Sequence, residues 1–109
     1  DEQDIFNVTM NESLAVALLT NLLKNAFVHN IDGGHIRITV TKNSITFRNS
    51  GVENPLDKEH IFERFYQGTK KEGSTGLGLA IADSICRLQH LSIRYYFEQK
   101  EHCFEISRQ

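Results

Sequence analysis

Cysteine and proline are scarce in this 109-residue chain, which contains two cysteines and one proline. Cys86 and Cys103 are too few for a disulfide framework, and they lack the Cys-x-x-Cys spacing of many metal and redox sites. We therefore interpret both as small buried hydrophobic residues in a reducing compartment. A small scaffold held together by disulfides is not expected.

The chain also lacks a surplus of basic residues and a long apolar run. Its formal net charge is -2, which leaves no positive surplus to neutralise the phosphates of a nucleic acid. The longest apolar stretch, Leu14 to Leu19, is far shorter than the roughly 20 residues of a membrane-spanning helix, and no signal pattern precedes it. These absences argue against nucleic-acid binding and predict a domain of cytoplasmic character.

The length of the chain fits one compact domain with a modest core. A chain of 109 residues, 39% of them hydrophobic, can bury roughly 65% of its unfolded surface. No internal repeat or low-complexity segment is visible. Because Asp1 is not a natural start and a strand follows almost at once, we expect residues 1–109 to form a single domain excised from a longer chain.

Apolar spacing and capping residues predict three helices. Asn11 is suited to cap a first helix that runs to about Val28. A charged helix from about Asp57 to Phe65 follows the only proline. The last helix is expected to bury the apolar residues that recur along it at helical spacing, which are Leu77, Ile81, Ile85 and Leu88.

The remaining segments predict strands and one long loop. Residues 5–8, 35–40, 44–48, 92–99 and 102–107 are predicted strands, and Lys42-Asn43 is predicted to be a short turn. Residues 67–75 are rich in Gly, Lys and Thr and are expected to form a mobile loop. This arrangement favours an α+β fold, a two-layer sandwich whose helices pack on one face of a mixed, mostly antiparallel sheet.

A glycine-rich segment opens the last helix at residues 73–81, which read Gly-Ser-Thr-Gly-Leu-Gly-Leu-Ala-Ile. Glycines let the backbone approach a ligand closely, and a helix start presents unpaired N–H groups and the positive end of the helix dipole. Phosphate is the ligand that such a helix end binds well. Taken alone, the segment is equally compatible with tight packing.

Two asparagines, Asn21 and Asn25, interrupt the inward-looking face of the first helix, where they project with Leu14 and Leu18. Buried amides need partners, so the pair consists either of satisfied core amides or of ligand-binding groups. In the second interpretation Asn25 offers its carbonyl oxygen to Mg²⁺, and Asn21 supports it or contacts phosphate. Neither amide can act as a general base, which favours positioning a phosphoryl group over activating water.

Four segments in this order resemble the motifs of sensor histidine kinases. Residues 21–26, Asn-Leu-Leu-Lys-Asn-Ala, resemble the N box, Phe62-Glu63-Arg64-Phe65 is similar to the F box, and residues 73–81 are similar to the second glycine box. Asn49-Ser50-Gly51 lies where the first glycine box, Asp-x-Gly-x-Gly, should fall. The resemblance implies an ATP-binding fold shared with gyrase, Hsp90 and MutL ATPases, with ATP and Mg²⁺ beneath a flexible lid at about residues 66–75.

The resemblance also implies which residues bind nucleotide. Gly76, Leu77 and Gly78 would give backbone N–H groups to the phosphates, and His29 falls where the family commonly has an aromatic residue or a histidine against the nucleotide. A lone histidine is otherwise more often a surface or cap residue. The nucleotide-binding residues implied in this way are Asn21, Asn25, His29, Asn49, Gly51, Thr75, Gly76, Leu77 and Gly78.

Catalytic and metal-binding roles follow from the same resemblance. Asn25 would be both a catalytic residue and the ligand of Mg²⁺. Arg64 would be the second catalytic residue, meeting phosphate or the partner domain. Lys70 and Lys71 in the lid either act in the same way or are solvated loop charges.

Three positions depart from the family pattern. Asn49 replaces the aspartate that accepts a hydrogen bond from the adenine amino group, and a neutral amide accepts more weakly than a carboxylate. Because the amide also donates, Asn49 is expected to tolerate guanine better. The first glycine box loses its second glycine at Glu53, and Val28 stands where many relatives have a lysine.

The implied function is that of the ATP-binding catalytic domain of a two-component sensor histidine kinase. Such a protein histidine kinase passes the γ-phosphoryl group of ATP to a histidine on a separate helical dimerisation domain. Its other expected partner is a response regulator. The phosphoacceptor is not expected in this chain, because none of its five histidines lies in a His-Glu-x-x-x-Pro context. The fragment should be monomeric, and its parent anchored in the inner membrane.

Three alternatives remain. One is an ATPase of the same fold, although such relatives carry a glutamate where Asn21 stands to activate water. A serine-directed kinase of the anti-sigma type is closer in chemistry. The third is a docking module that has lost nucleotide binding, consistent with the changes at Val28, Asn49 and Glu53.

Overall fold

The computed structural model describes residues 10–28, 33–51, 60–63 and 77–108. Its elements follow in the order α1 (Glu12–Val28), β1 (Ile36–Val40), β2 (Ser44–Ser50), α2 (Gly78–Leu88), β3 (Leu91–Glu98) and β4 (Glu101–Arg108). The strand predicted at residues 5–8 and the loop predicted at residues 67–75 lie outside the described residues. None of the described helices has the length and apolar character needed to cross a membrane.

The four strands form one sheet in the order β1-β2-β4-β3. Each pairing among them is antiparallel, and the register places Phe47 opposite Phe104 and Asn49 opposite His102. A tight turn joins β1 to β2, closed by the Thr41 N–H donating to the Ser44 carbonyl at 2.8 Å. The predicted α+β architecture with a mostly antiparallel sheet is confirmed.

The core lies between one face of this sheet and the two helices. Alternation along each strand sends every second side chain to this face. Leu18 and Leu22 of α1 pack there with Ile85 and Cys86 of α2. The strands contribute the buried side chains Phe47, Leu91, Tyr95, Phe104 and Ile106.

The opposite sheet face has no helix of the described residues packed on it and is closed by charged side chains. The Arg94 Nε donates to the Glu105 carboxylate at 2.6 Å, and the Arg94 guanidinium lies 4.8 Å from the centre of the Tyr96 ring. Arg48 donates to Glu98 at 3.3 Å. Paired guanidinium groups thus cover the strands on this side.

The predicted start of α1 is confirmed in detail. The Asn11 Oδ1 accepts hydrogen bonds from the backbone N–H groups of Ser13 at 2.8 Å and Leu14 at 3.4 Å. These are two of the N–H groups that a helix start leaves without a carbonyl partner. The side-chain cap explains why the helix begins at Glu12.

The predicted buried face of α2 is wrong at two positions. Ile81 is 41% exposed and Leu88 67% exposed, whereas the residues that face the core are Ala80, Ala82, Ile85 and Cys86. Ala82 and Cys86 are small, so the helix backbone can approach α1 and the sheet closely along that stripe. Close approach of the backbone therefore outweighed the burial of the larger side chains.

The charged helix predicted from Asp57 to Phe65 is not helical over its described part, residues 60–63. Those residues form a turn, in which the Glu63 N–H donates to the His60 carbonyl at 2.9 Å. The turn directs two consecutive side chains to the core: Ile61 is buried, and Phe62 meets Phe104 edge-on at 6.3 Å.

Candidate functional site

The residues predicted to bind nucleotide fall into two groups. Six of them are described by the structure: Asn21, Asn25, Asn49, Gly51, Leu77 and Gly78. His29, Arg64, Thr75 and Gly76 lie outside the described residues, as do Lys70, Lys71, Glu53 and the predicted lid at residues 66–75. The described group is distributed over α1, the end of β2 and the start of α2.

The two most distant predicted motifs meet where α1 passes the start of α2. A Cβ atom placed on Gly78 would lie 3.2 Å from the Asn21 Oδ1 and 4.0 Å from its Cβ and Cγ. That separation is tighter than side chains normally adopt, so a glycine at this position is what permits the approach. The segments that resemble the N box and the second glycine box are therefore in contact.

Hydrogen bonding fixes the Asn21 side chain in this orientation. Its Nδ2 donates to the Ala17 carbonyl, one turn earlier, at 2.7 Å. The Nδ2 group is thus satisfied within α1, as expected if Asn21 is a core amide with its own partner. The Oδ1 atom is directed at the start of α2. Asn25 follows one turn later on the same stripe and is half-buried.

The start of α2 is suited to bind an anion. Leu77 occupies the N-cap position, and its side chain has no acceptor with which to cap the helix. Its carbonyl accepts the first helical hydrogen bond, from the Ile81 N–H at 2.9 Å. The positive end of the helix dipole therefore meets the side of α1 that carries Asn21, without an acidic residue in the first turn.

A second part of the site lies at the end of β2, where Asn49 is 1% exposed on the helix-facing side of the sheet. Its Nδ2 donates to the Ser50 carbonyl at 3.0 Å. With the donor used in this way, Oδ1 is the atom that can accept a hydrogen bond from the amino group of a base. The structure thus keeps the acceptor that the aspartate of the family pattern would provide.

His102 is a member of this region that sequence reasoning missed. It lies opposite Asn49 in the β2–β4 register and is 5% exposed. A Cβ atom on Gly51 would overlap the His102 ring at Cδ2 and Nε2. The sequence signal that could have found it is the two-residue alternation of β4, which places the His102 side chain on the core side.

The other face of the sheet holds a buried carboxylate directly behind this region. Glu101, 3% exposed, is the register partner of Ser50. It accepts hydrogen bonds from Arg37 Nη2 at 2.6 Å and Nε at 3.1 Å, and it contacts His35 Nε2 at 2.6 Å. The Arg37 hydrogen bonds, assisted by His35, hold the pKa of this carboxyl below its ordinary value in spite of burial.

These residues fit a nucleotide with a magnesium ion. The start of α2 can offer backbone N–H groups to a phosphate beside the Asn21 amide, and an amide oxygen is a ligand that Mg²⁺ accepts. Within the described ranges no cluster of three or more His, Cys, Asp or Glu residues could hold a metal by itself. A magnesium ion bound mainly by phosphates and water requires no such cluster.

Comparison with known proteins shows the family to which this chain belongs. The sequence model of the family described as histidine kinase-, DNA gyrase B-, and HSP90-like ATPase matches residues 10–107. Sensor histidine kinase RppB of Synechocystis sp. is 43% identical over 84 residues, which cover 69% of this chain and 18% of RppB. Heme sensor protein HssS of Staphylococcus aureus is 38% identical over 94 residues, which cover 82% of this chain and 21% of HssS.

A solved structure agrees with the fold. The nucleotide-free catalytic domain of histidine kinase ThkA superposes with a TM-score of 0.75 at 27% identity, over 91% of this chain and 68% of that domain. This chain therefore spans about a fifth of the two curated relatives and most of a catalytic domain.

Proposed function

Because the chain belongs to the histidine kinase-, DNA gyrase B-, and HSP90-like ATPase family, we propose that it is the ATP-binding catalytic domain of a sensor histidine kinase. Its reaction is the transfer of the γ-phosphoryl group of ATP to a histidine side chain. The observation that carries this proposal is the approach of Asn21 to Gly78, which unites two motifs at a helix start suited to phosphate.

Each part of the site has a proposed role. The start of α2 binds the phosphates through its backbone N–H groups, and Asn21 supports it with its side-chain oxygen. Asn25 binds Mg²⁺, which neutralises phosphate charge. Asn49 and Gly51 contact the base. The residues outside the described part that we assign to the same site are His29, Arg64, Thr75 and Gly76.

The chemistry proposed here is positioning and charge neutralisation. Asn21 and Asn25 are amides without useful basicity, so they hold and orient a phosphoryl donor and do not activate water. A phosphoryl group passes through a loose transition state, for which alignment and electrostatic stabilisation supply most of the catalysis. This favours transfer to a partner over ATP hydrolysis by the domain itself.

The acceptor histidine and the response regulator are proposed partners in the parent protein's pathway. The named relatives are sensor proteins about five times longer than the matched region, which leaves room for a helical phosphoacceptor domain and a sensor. We propose that the parent is anchored in the inner membrane, with this domain on the cytoplasmic side.

The first test is the thermal midpoint of the domain with and without Mg-ATP. A ligand present at about 100 times its Kd adds roughly 2.7 kcal/mol of stability. Asn25→Ala should weaken Mg-ATP binding about tenfold and remove most of its Mg²⁺ dependence, whereas Asn43→Ala, in the exposed β1–β2 turn, should change neither. No shift at millimolar nucleotide would favour the docking module that does not bind nucleotide.

A second test addresses transfer itself. The wild-type domain is mixed with radiolabelled ATP and the histidine-bearing helical domain of its own parent chain, and acid-labile label on that domain is counted. Label on the helical domain supports the kinase assignment. Steady release of inorganic phosphate without any labelled acceptor would instead indicate an ATPase of the same fold.

A further inference from the structure

The ring of His102 takes up the space beside Gly51. The two residues meet because His102, on β4, is the partner of Asn49, and Gly51 follows two residues after Asn49 on the same side of the sheet. A Cβ atom at residue 51 would overlap the imidazole at two of its atoms. The backbone of Gly51 is therefore packed directly against the Cδ2 and Nε2 atoms of this ring.

The ring itself is fixed in place. His102 Nδ1 is hydrogen-bonded to the Tyr95 hydroxyl at 2.7 Å, and the two rings stack with their centres 5.8 Å apart at 23°. The Phe97 ring lies 4.9 Å away on the same strand as Tyr95. Because His102 is also buried, its side chain has no other rotamer available without disturbing these contacts.

The need for glycine at position 51 is therefore steric. Its φ does not lie in the left-handed region, where Gly33 is found at 73°. A larger residue would be excluded by the imidazole and not by the backbone conformation. The Gly51 N–H donates to the Lys100 carbonyl at 3.3 Å, so β4 and the turn before it contact residue 51 from two directions.

We propose that His102 is a positioning residue for base recognition: held by Tyr95, it sets the backbone of Gly51 and thereby the orientation of the Asn49 amide. This inference rests on the proposed function, in which Asn49 reads the base. Phosphate contacts are common to ATP and GTP, whereas the Asn49 amide distinguishes their amino and carbonyl groups. A change at His102 is therefore expected to alter the ratio of the two Kd values.

The experiment is a double-mutant cycle read by nucleotide titration. Kd values for Mg-ATP and Mg-GTP are measured for the wild type, Gly51→Ala, His102→Ala and the double variant. Gly51→Ala should weaken Mg-ATP binding about tenfold in the wild-type background and less than about threefold once the ring is removed. His102→Ala should move the ATP-to-GTP ratio of Kd values by about threefold or more.

Two further variants keep the outcome clear. Phe104→Leu changes the next helix-facing residue of β4, so it should lower the thermal midpoint and leave the ATP-to-GTP ratio unchanged. Tyr95→Phe keeps the packing of the ring and removes the hydroxyl that holds Nδ1. Tyr95→Phe should move the ATP-to-GTP ratio of Kd values in the same direction as His102→Ala. If His102→Ala does not fold, Tyr95→Phe is used in its place.

Each outcome decides between named alternatives. Non-additive effects at residues 51 and 102, with a changed ratio, support the inference. A wild type that binds Mg-ATP, together with additive effects or an unchanged ratio in the His102 and Tyr95 variants, overturns the inference alone. A folded wild type that binds neither nucleotide overturns the proposed function, and this inference with it.

Discussion

Arg37 and Glu101 form a bidentate ion pair on the sheet face opposite the helices, joined by contacts of 2.6 and 3.1 Å. The guanidinium is half exposed, whereas the carboxylate is almost completely shielded from solvent. Burial alone would raise the pKa of the carboxyl, but the hydrogen bonds from Arg37 outweigh it and lower that pKa. Because Glu101 opens β4 and is the register partner of Ser50, this pair ties the edge strand β1 to β4 across the end of β2.

The first prediction concerns acid stability. A folded-state pKa below the ordinary value of 4.5 stabilises the fold above that pH, and the contribution is lost as the pH falls through the lowered folded-state pKa. Glu101→Gln should therefore lower the free energy of unfolding by about 1 to 3 kcal/mol at pH 7. The difference from the wild type should shrink as the pH falls below 4.5.

Urea unfolding across pH 3 to 7, roughly the range in which carboxyls titrate, measures this difference. Glu105→Gln is the matched control, because Glu105 lies on the same face of β4 and pairs with the more exposed Arg94. Its effect should be smaller, as is usual for exposed ion pairs. Equal effects of the two substitutions, or a constant difference at all pH values, would contradict this account of Glu101.

The second prediction separates binding from stability at the start of α2. Gly78→Ala introduces a Cβ atom 3.2 Å from the Asn21 Oδ1, so the amide must shift. Mg-ATP binding should weaken about tenfold. Stability without ligand should change by less than about 1 kcal/mol in either direction, because the gain from restricting the unfolded chain is opposed by the shift of the Asn21 amide.

Isothermal titration and thermal unfolding of the same samples test this pair of effects. Ser84→Ala, at an exposed position of α2, serves as the control for helix propensity without a contact to α1. Unchanged affinity in Gly78→Ala would mean that the approach of Asn21 to Gly78 has no part in nucleotide binding.

The third prediction concerns the base. Asn49 donates to the Ser50 carbonyl and retains Oδ1 as an acceptor, which suits the amino group of adenine but accepts more weakly than a carboxylate. The wild type should therefore prefer ATP over GTP by less than about a hundredfold. Asn49→Asp should widen that preference and lower stability without ligand, because it places a charge at a position that is 1% exposed. Parallel titration of ATP and GTP measures this preference. A wild-type preference for ATP of about a hundredfold or more would contradict the prediction.

The fourth prediction concerns the thiols. Cys86 is completely buried, and burial raises its pKa to about 11. Burial also raises the pKa of Cys103. Since the thiolate is the reactive form, neither thiol should react with a disulfide reagent at pH 8 while the protein is folded, and two per chain should react after denaturation. Rapid labelling of one thiol in the native protein would show that its segment opens locally.

Several features could be predicted because they depend on local rules. Asn11 caps α1 through its own side chain, and the strands predicted at residues 35–40 and 44–48 are present as β1 and β2. The glycine-rich motif predicted a helix start, and Gly78 is its first residue. Two motifs far apart in the sequence could be joined only through the family resemblance, and the structure describes their contact at Asn21.

Other features depend on packing that the sequence does not display. Apolar character alone could not show that Ile81 and Leu88 would be exposed while Ala82 and Cys86 face the core. The strands predicted at residues 92–99 and 102–107 located the β3–β4 turn to within a residue, but not its backbone conformation, in which Gln99 and Lys100 have φ values of 51° and 62° without a glycine. His102 became visible as a site residue only when the register placed it beside Gly51.

The position of β4 in the sheet has a consequence for how the domain is made. This strand follows the other three described strands in the chain, yet it lies between β2 and β3. During synthesis, β2 therefore lacks its inner neighbour until the last strand has left the ribosome. Pairing over such a sequence distance carries a loop-closure cost and is slow. Asn49 consequently gains its neighbour on β4, His102, only late in synthesis. A nascent chain that stops before residue 101 should therefore not retain nucleotide.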